Sequence, residues 1–482
     1  MYLKAAGSYE VAEDTERDYL TCDENGFAQT KDMPYGIYTV HQVSGWEGSE
    51  LMPDFDVFIS QNGVTYRYLI NNAPFNSFIK IVKQDAETGK TIPYAGAGFK
   101  IYDPDGNPVT MTFTYPTPTT IDVFYTNAEG SLVTPEKLSF GKGYSIVEVQ
   151  APYGYVLDET PVYFDVTEDN STEESGVTVV KVDKPNMAQK GTITVEKTGE
   201  VFFGVSVIGG VDESGNELPT IYQPQYEKRG LPGAVYEIIA AEDIITPDGT
   251  VRNQKGNVVD TVTTDGNGTA VSRELYLGKY EVREITAPHG MVLNPEPHCV
   301  ELVYAGQNVA VTETATSFEN ERQKVEISLV KSIEQNERFG IGTNGEMKNI
   351  SFGLFAAEEI VSASGTSIPA NGLVEIISLN EDGTAKIKTD LPFGSYYVQE
   401  LATDSHYKLS DTKYPVTFGY ASQDTAVVKI AVNGGNAVEN KLIYGSVSGK
   451  KIDENGDSLG GALIGLFRTD DGEFTKENAL LT

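Results

Sequence analysis

Apolar and polar residues alternate along most of the chain in short runs such as SFIKIVK, GTITVEK, GYSIVEVQ, GKYEVREI and GSYYVQEL. A period of two puts successive side chains on opposite faces of a strand. The runs are separated by TCDENGF, TNAEGS, TTDGNGT and LNEDGT, whose Asp, Asn and Gly supply the positive φ that tight hairpin turns require. Helical periodicity is confined to a turn or two near EVAEDTERD. The pattern predicts an all-β chain of antiparallel strands.

The strands recur as sets, and such a repeat decides architecture before any local detail does. An aromatic strand ending in a carboxylate occurs as GYSIVEVQAPYGYVL, GKYEVREITAPHGMVL and GSYYVQELATDSHYKL, pairing Tyr144 with Glu148, Tyr280 with Glu284 and Tyr396 with Glu400. A weaker copy, GIYTVHQVSGWEGSEL, pairs Tyr38 with Gln42. Upstream lie small residues ahead of an aliphatic or aromatic strand: YAGAGFKIYD, GLPGAVYEII, ISFGLFAAE and LGGALIGLF. Finally, Asn72, Asn186, Asn320 and Asn440 each precede a lysine, Lys83, Lys197, Lys331 and Lys451, by eleven residues. Each lysine sits on a strand-like run that opens a repeat, so the boundaries fall between Asn and Lys.

These boundaries predict three complete modules, residues 77–188, 189–322 and 323–442. Residues 1–76 read as the C-terminal part of a module without its lysine strand, and 443–482 as the N-terminal part of another. A half-sandwich leaves strand edges uncovered, so a chain that continues in both directions is expected.

Composition narrows the function. The 70 Asp and Glu against 36 Lys and Arg give a formal charge of −34, which disfavours nucleic acid and anionic lipid as partners. No run approaches the roughly 18 apolar residues of a membrane helix, so no membrane insertion is expected, and the N-terminus has no signal-peptide core. A hydrophobic fraction of 39% argues against disorder. Cys22 and Cys299 lie too far apart in sequence to suggest a disulfide framework and read as small buried or half-buried side chains. DPDGN, DESGNE and DENGD lack the ligand order of a calcium loop, and the four histidines form no cluster and read as solvated loop positions, so no metal and no cofactor is expected. Two long inserts, MTFTYPTPTTIDVFY and VSVIGGVDESGNELPTIYQPQYEKRG, are either ligand loops or decoration, and decoration is the favoured reading.

Within every complete module the order is Lys on the first strand, Glu near the penultimate strand and Asn on the last: Lys83, Glu148, Asn186; Lys197, Glu284, Asn320; Lys331, Glu400, Asn440. First and last strands of a sandwich often adjoin. In an apolar core, burial disfavours the charged forms of both Lys and Glu, which makes the amine a nucleophile and the Glu a proton donor. Attack of the lysine nitrogen on the Asn carboxamide, with the Glu polarising the carbonyl and shuttling protons, would release ammonia and leave an amide cross-link in one turnover. Taken singly, each residue is an ordinary strand edge, solvated charge or turn; recurrence in one order favours the cross-link. Asp183 is a second conceivable acceptor but lacks the eleven-residue spacing.

These residues resemble the collagen-adhesin B-type and SpaA-like repeat domains of Gram-positive surface proteins and pilins. The resemblance is carried by YAGAGFKIYD and LPGAVYEI, by the Tyr-x-x-x-Glu-x-x-Ala-Pro-x-Gly pieces and by the closing Asn, and spans nearly the whole chain. It implies tandem Ig-like or prealbumin-like β-sandwiches forming an elongated rod, a self-formed Lys to Asn isopeptide bond with a catalytic Glu, and an extracellular place on the cell wall by way of sortase. LATDSHYKL departs from the pattern, although Glu400 remains. Gln42 replaces the Glu in the N-terminal piece, where no bond is expected, and Lys451 is expected to be free. LPTIY and LPFGS fail the sorting pattern. The reading is a structural stalk without substrate turnover, its partners being neighbouring surface-protein modules. The alternatives are modules that bind a host matrix protein or glycan, or accessory repeats of a larger wall enzyme.

Overall fold

The computed structural model describes residues 1–114, 116–211, 214–215, 217–469 and 472–479. Among them, three separate hydrophobic cores mark three β-sandwiches built to one plan. One sheet of each holds the opening and closing strands side by side: Asn76–Asp85 with Val177–Asn186, Lys190–Val211 with Val311–Asn320, and Lys324–Ile333 with Val427–Ala431 and Val438–Asn440. These pairs run parallel, not antiparallel as the alternation predicts. Alternation reports which face is buried and is blind to strand direction. The facing sheet carries the glutamate strand, Gly141–Gln150, Gly278–Thr286 or Gly394–Ala402, paired antiparallel with Gly98–Tyr102, Val235–Ala240 or Ser351–Ala356. The glutamate strand is thus followed by further strands of both sheets and is not next to last.

The period of two explains why charged residues point inward. Ser77, Ile79, Ile81 and Lys83 are buried in phase, as are Gly191, Ile193, Val195 and Lys197, and Ile327, Leu329 and Lys331. Tyr144, Tyr280 and Tyr396 lie on the same face as the glutamate four residues on and are buried, each hydroxyl donating to a backbone carbonyl, of Ser139, Tyr276 or Pro392. Tyr38 does the same towards Pro34.

The N-terminal residues form a three-stranded sheet of Tyr2–Leu3, Gly36–Val40 and Phe55–Ile59. A short helical turn occurs at Lys4–Ala6 rather than at EVAEDTERD. Among the described residues after Asn440 no strand forms, and the run GSVSGKK with Lys451 is exposed coil. Cys22 and Cys299 are both exposed, against expectation. Cys299 lies on the outward phase of the strand His298–Leu302, and His298, on that strand rather than in a loop, stacks on Phe318 at 4.0 Å between ring centres.

The inserts are hairpins rather than loops. Met111–Phe113 pairs with Thr119–Ile121. The second insert prolongs the opening strand to Val211 and returns as Glu217–Gly230. Its return strand meets the third sandwich at Ile221 and Leu373, and Phe202, Val205 and Tyr222 pack on that sandwich's core. Within DESGNE, Asp212, Glu213 and Asn216 lie outside the described residues.

Candidate functional site

The parallel ladder sets the first relation. Lys83 is level with Lys184, which places Asn186 two residues further along the neighbouring strand and on the same face. Lys197 is level with Phe318, two before Asn320, and Lys331 with Val438, two before Asn440. The facing sheet brings Glu148, Glu284 and Glu400 down on these pairs. All nine side chains are buried, none more than 4% exposed.

In the first sandwich Lys83 Nζ donates to Glu148 Oε1 at 2.8 Å and to Asn186 Oδ1. Asn186 Nδ2 donates to Glu148 Oε2 at 2.6 Å and to the Val156 carbonyl at 2.7 Å. In the second, Lys197 Nζ lies 2.8 Å from Glu284 Oε1 and donates to Asn320 Oδ1, while Asn320 Nδ2 is 3.0 Å from both Glu284 oxygens. In the third, Asn440 Nδ2 donates to Glu400 Oε1 at 2.7 Å and to Thr403 Oγ1 at 2.9 Å. Lys331 Nζ is 3.4 Å from Glu400 Oε1, and among the described residues neither it nor Asn440 Oδ1 has a hydrogen-bond partner. In every copy the carboxylate lies against the amide nitrogen and the amine, and not against the carbonyl that sequence reasoning assigned it.

Burial lowers the pKa of all three lysines, partly opposed by the glutamate, and that of Lys83 reaches about 8. Buried Lys184 stands near Lys83 and lowers it further, while its own amine is held by Asp158 Oδ2 at 2.8 Å. Asp183 points out of the sandwich to Lys181, 3.0 Å away, and is not placed to accept.

Two parts of the site escaped the sequence reading. Phe99, Tyr236 and Phe352 stand level with Glu148, Glu284 and Glu400 on the adjacent strand, each at a β-bulge, and lie 5.7, 5.8 and 5.8 Å from the lysine nitrogens. They supply the apolar wall that desolvates the amine. They sit inside the small-residue motif, whose recurrence alone assigned them no role. The other part is a backbone N–H ten residues after each glutamate: Asp158, Asn294 and Ser410 donate to the Oε2 atoms at 3.1, 2.9 and 2.9 Å. The N-terminal sheet repeats this frame with amides. Met52 N donates to Gln42 Oε1 at 3.0 Å, and Asn72 Nδ2 donates to Gln42 Oε1 at 3.0 Å and to the Glu50 carbonyl at 2.6 Å.

Among the described residues no group of three His, Cys, Asp or Glu side chains is arranged to hold a metal, and no helix is long and apolar enough to cross a membrane.

The family model SpaA, a prealbumin-like fold domain, matches residues 77–181, 223–316 and 337–434. The chain belongs to this family of prealbumin-like domains, in three copies. It is 26% identical over 147 residues to the trypsin-resistant surface T6 protein of Streptococcus pyogenes serotype M6, covering 30% of this chain and 26% of that protein. The chain therefore spans about a quarter of the length of that relative. Among solved structures, the Bacillus anthracis TIE protein aligns at 21% identity with a TM-score of 0.45, over 87% of this chain and 65% of that one. BcpA, the major pilin subunit of Bacillus cereus, aligns at 15% identity with a TM-score of 0.28, over 76% of this chain and 100% of that one.

Proposed function

We propose that the chain is a stalk segment of a Gram-positive surface or pilin-like protein, each complete module of which is locked by a self-formed Lys to Asn isopeptide bond. The modules are residues 77–188, 189–322 and 323–442, and the bonds join Lys83 to Asn186, Lys197 to Asn320 and Lys331 to Asn440. The observation that carries the reading is the threefold recurrence of a buried carboxylate held against both a buried lysine amine and a buried asparagine carboxamide. A similarity to a streptococcal surface protein supports an extracellular setting.

The chemistry balances without a cofactor. Within the pair, Lys83 passes a proton to Glu148 and becomes a neutral amine. Nζ attacks the Asn186 Cγ, the new C–N bond forms and the C–Nδ2 bond breaks. Glu148 touches both nitrogens, so it takes protons from Nζ through one oxygen and delivers them to Nδ2 through the other, and ammonia leaves. In the third module the same step turns the Lys331 amine, which has no hydrogen-bond partner among the described residues, into an amide nitrogen bonded to Asn440 Cγ, and Asn440 Nδ2 leaves as ammonia. Modules so joined carry tension from closing strand to opening strand through an amide, and their partners are the modules before and after them.

The test is the intact mass of the denatured, reduced chain followed by peptide mapping. Three missing ammonia masses, with linked peptides holding the three Lys and Asn pairs, are expected. An unmodified mass would overturn the reading.

A further inference from the structure

Each junction between complete modules carries a second recurrent constellation. We propose that a reciprocal pair of glutamines, Gln189 with Gln307 and Gln323 with Gln423, is a latch that fixes the angle between one module and the next.

Gln189 and Gln323 lie three residues after the closing Asn186 and Asn320, at the entry to the next module, and are 1% exposed. Each backbone N–H donates to a glycine of the module just ended, Gly154 or Gly290, at 2.8 Å. Each side chain is spent on a loop of the module about to begin. Gln189 Nε2 donates to the Gly306 and Val309 carbonyls and its Oε1 accepts from Ala305 N; Gln323 does the same with Ser422, Thr425 and Ala421.

The same loops reach back. Gln307 Oε1 accepts from Ala151 N at 2.9 Å and its carbonyl accepts from Leu157 N. Gln423 takes Ala287 N at 3.0 Å and Leu293 N in the same two ways. Acceptors and donors keep identical offsets from the site glutamates, three, six and nine residues after Glu148 and Glu284, so the loop that follows the catalytic strand is also the socket. A tyrosine beside each returning glutamine seals it: Tyr304 packs on Tyr153 and Tyr420 on His289, with ring centres 4.6 Å apart in both. Glycine is required in the socket because φ is near +84° at Gly154 and +88° at Gly290, and a Cβ there would press on Pro247 or Phe393 of the next module.

A buried side-chain amide with its donors and acceptor satisfied by one loop holds a unique geometry, since any rotation between modules strands those groups without partners. The sequence signature is Asn-x-x-Gln at the exit and Tyr-Ala-Gly or Ser-Gln in the receiving loop. It is missing on both sides of the central three modules. Phe75 occupies the glutamine position before the first, donating its N–H to Gly48, and Ile443 occupies it after the third, donating to His406. The chain therefore has two latched junctions flanked by two unlatched ones.

Spin-label distance measurements on the full chain test this, with Cys22→Ser and Cys299→Ser as background. Labels at Glu159→Cys and Glu242→Cys span the first latched junction, and labels at Glu242→Cys and Glu358→Cys span the second; all three positions are exposed. Narrow distance distributions are expected across both junctions. Gln189→Ala with Gln307→Ala should broaden the first distribution and leave the second, and Gln323→Ala with Gln423→Ala should do the reverse. Gln307→Ala alone, in a half-buried loop position, serves if the double variant fails to fold. Unchanged widths in the variants, or broad distributions in the parent, would overturn the latch. The ammonia deficit of the same samples reports the cross-links separately, so a failure of the bond chemistry and a failure of the latch give different results.

Discussion

The N-terminal sheet and the first complete module hold the same frame with different chemistry. In both, an Asn amide donates to a carbonyl eight residues after the site residue, Glu50 or Val156, and a backbone N–H ten residues after it, from Met52 or Asp158, closes the other side. The N-terminal copy places Gln42 there with no lysine against it among the described residues, a neutral amide pair. The first module places Glu148 and a buried Lys83, an ion pair shut away from water. A fold can thus keep the geometry of a site while the residue types change its charge and chemistry.

The largest break in this contrast is Glu148→Ala. It removes the proposed proton shuttle and leaves Lys83 buried without its carboxylate, a loss of about 3–5 kcal/mol for the unpaired charge. Losing the proposed cross-link, which would close a loop of 103 residues, adds about 5 kcal/mol, by analogy with a disulfide. One ammonia fewer should be lost from the chain, and calorimetry should find the first module melting well below the others; an unchanged deficit would dismiss the glutamate as catalyst. Lys83→Met separates the two contributions. Combined with Glu148→Gln it abolishes the bond and leaves neither an amine nor a carboxylate buried without a partner charge, so the fall should be confined to about 5 kcal/mol, read from denaturant unfolding.

The pH dependence sharpens the comparison. Burial holds Lys83 down at about 8, so the amount of neutral amine, and with it the rate of bond formation after refolding, should climb with pH and level off above about 8. A rate flat from pH 6 to 9 would count against the amine as the titrating nucleophile. In Asn186→Ala, which has no acceptor, the sign for stability follows from the same depression. Between about 8 and the ordinary lysine value of 10.5 the unfolded chain holds a proton that the folded one has released, so stability rises with pH across that window. The smallest effect is expected from Gln42→Glu. With no lysine to attack, the mass should not change. The lost amide donation to Ser44 and Asn72 should cost about 1 kcal/mol, measurable as a slightly lower midpoint of the N-terminal sheet.

Much of the site was legible because its members sit on strands whose alternation declares the inner face. Lys83 is in phase with Ile79 and Ile81, and Glu148 with Tyr144 and Ile146. Strand direction was not legible, since alternation is the same for parallel and antiparallel neighbours, and neither was the contact of the glutamate with the amide nitrogen, which depends on how two sheets stack. The long insert was misread as a loop because its Gly and Pro residues interrupt the alternation; its register is held by pairing with its own return strand and by the third module beyond. The glutamine latch was invisible because Gln189 and Gln307 are far apart in sequence and each is an unremarkable polar residue until a neighbouring module buries it.

The sequence by itself determined the all-β character, the repeat, and which lysines, glutamates and asparagines face inward, because period and spacing are properties of the chain alone. Only the tertiary structure decided that opening and closing strands run parallel with Asn two residues beyond Lys, that a bulge sets an aromatic ring opposite each glutamate, and that successive modules interlock. Those outcomes depend on which strands find each other across roughly a hundred residues, and no local pattern encodes that choice.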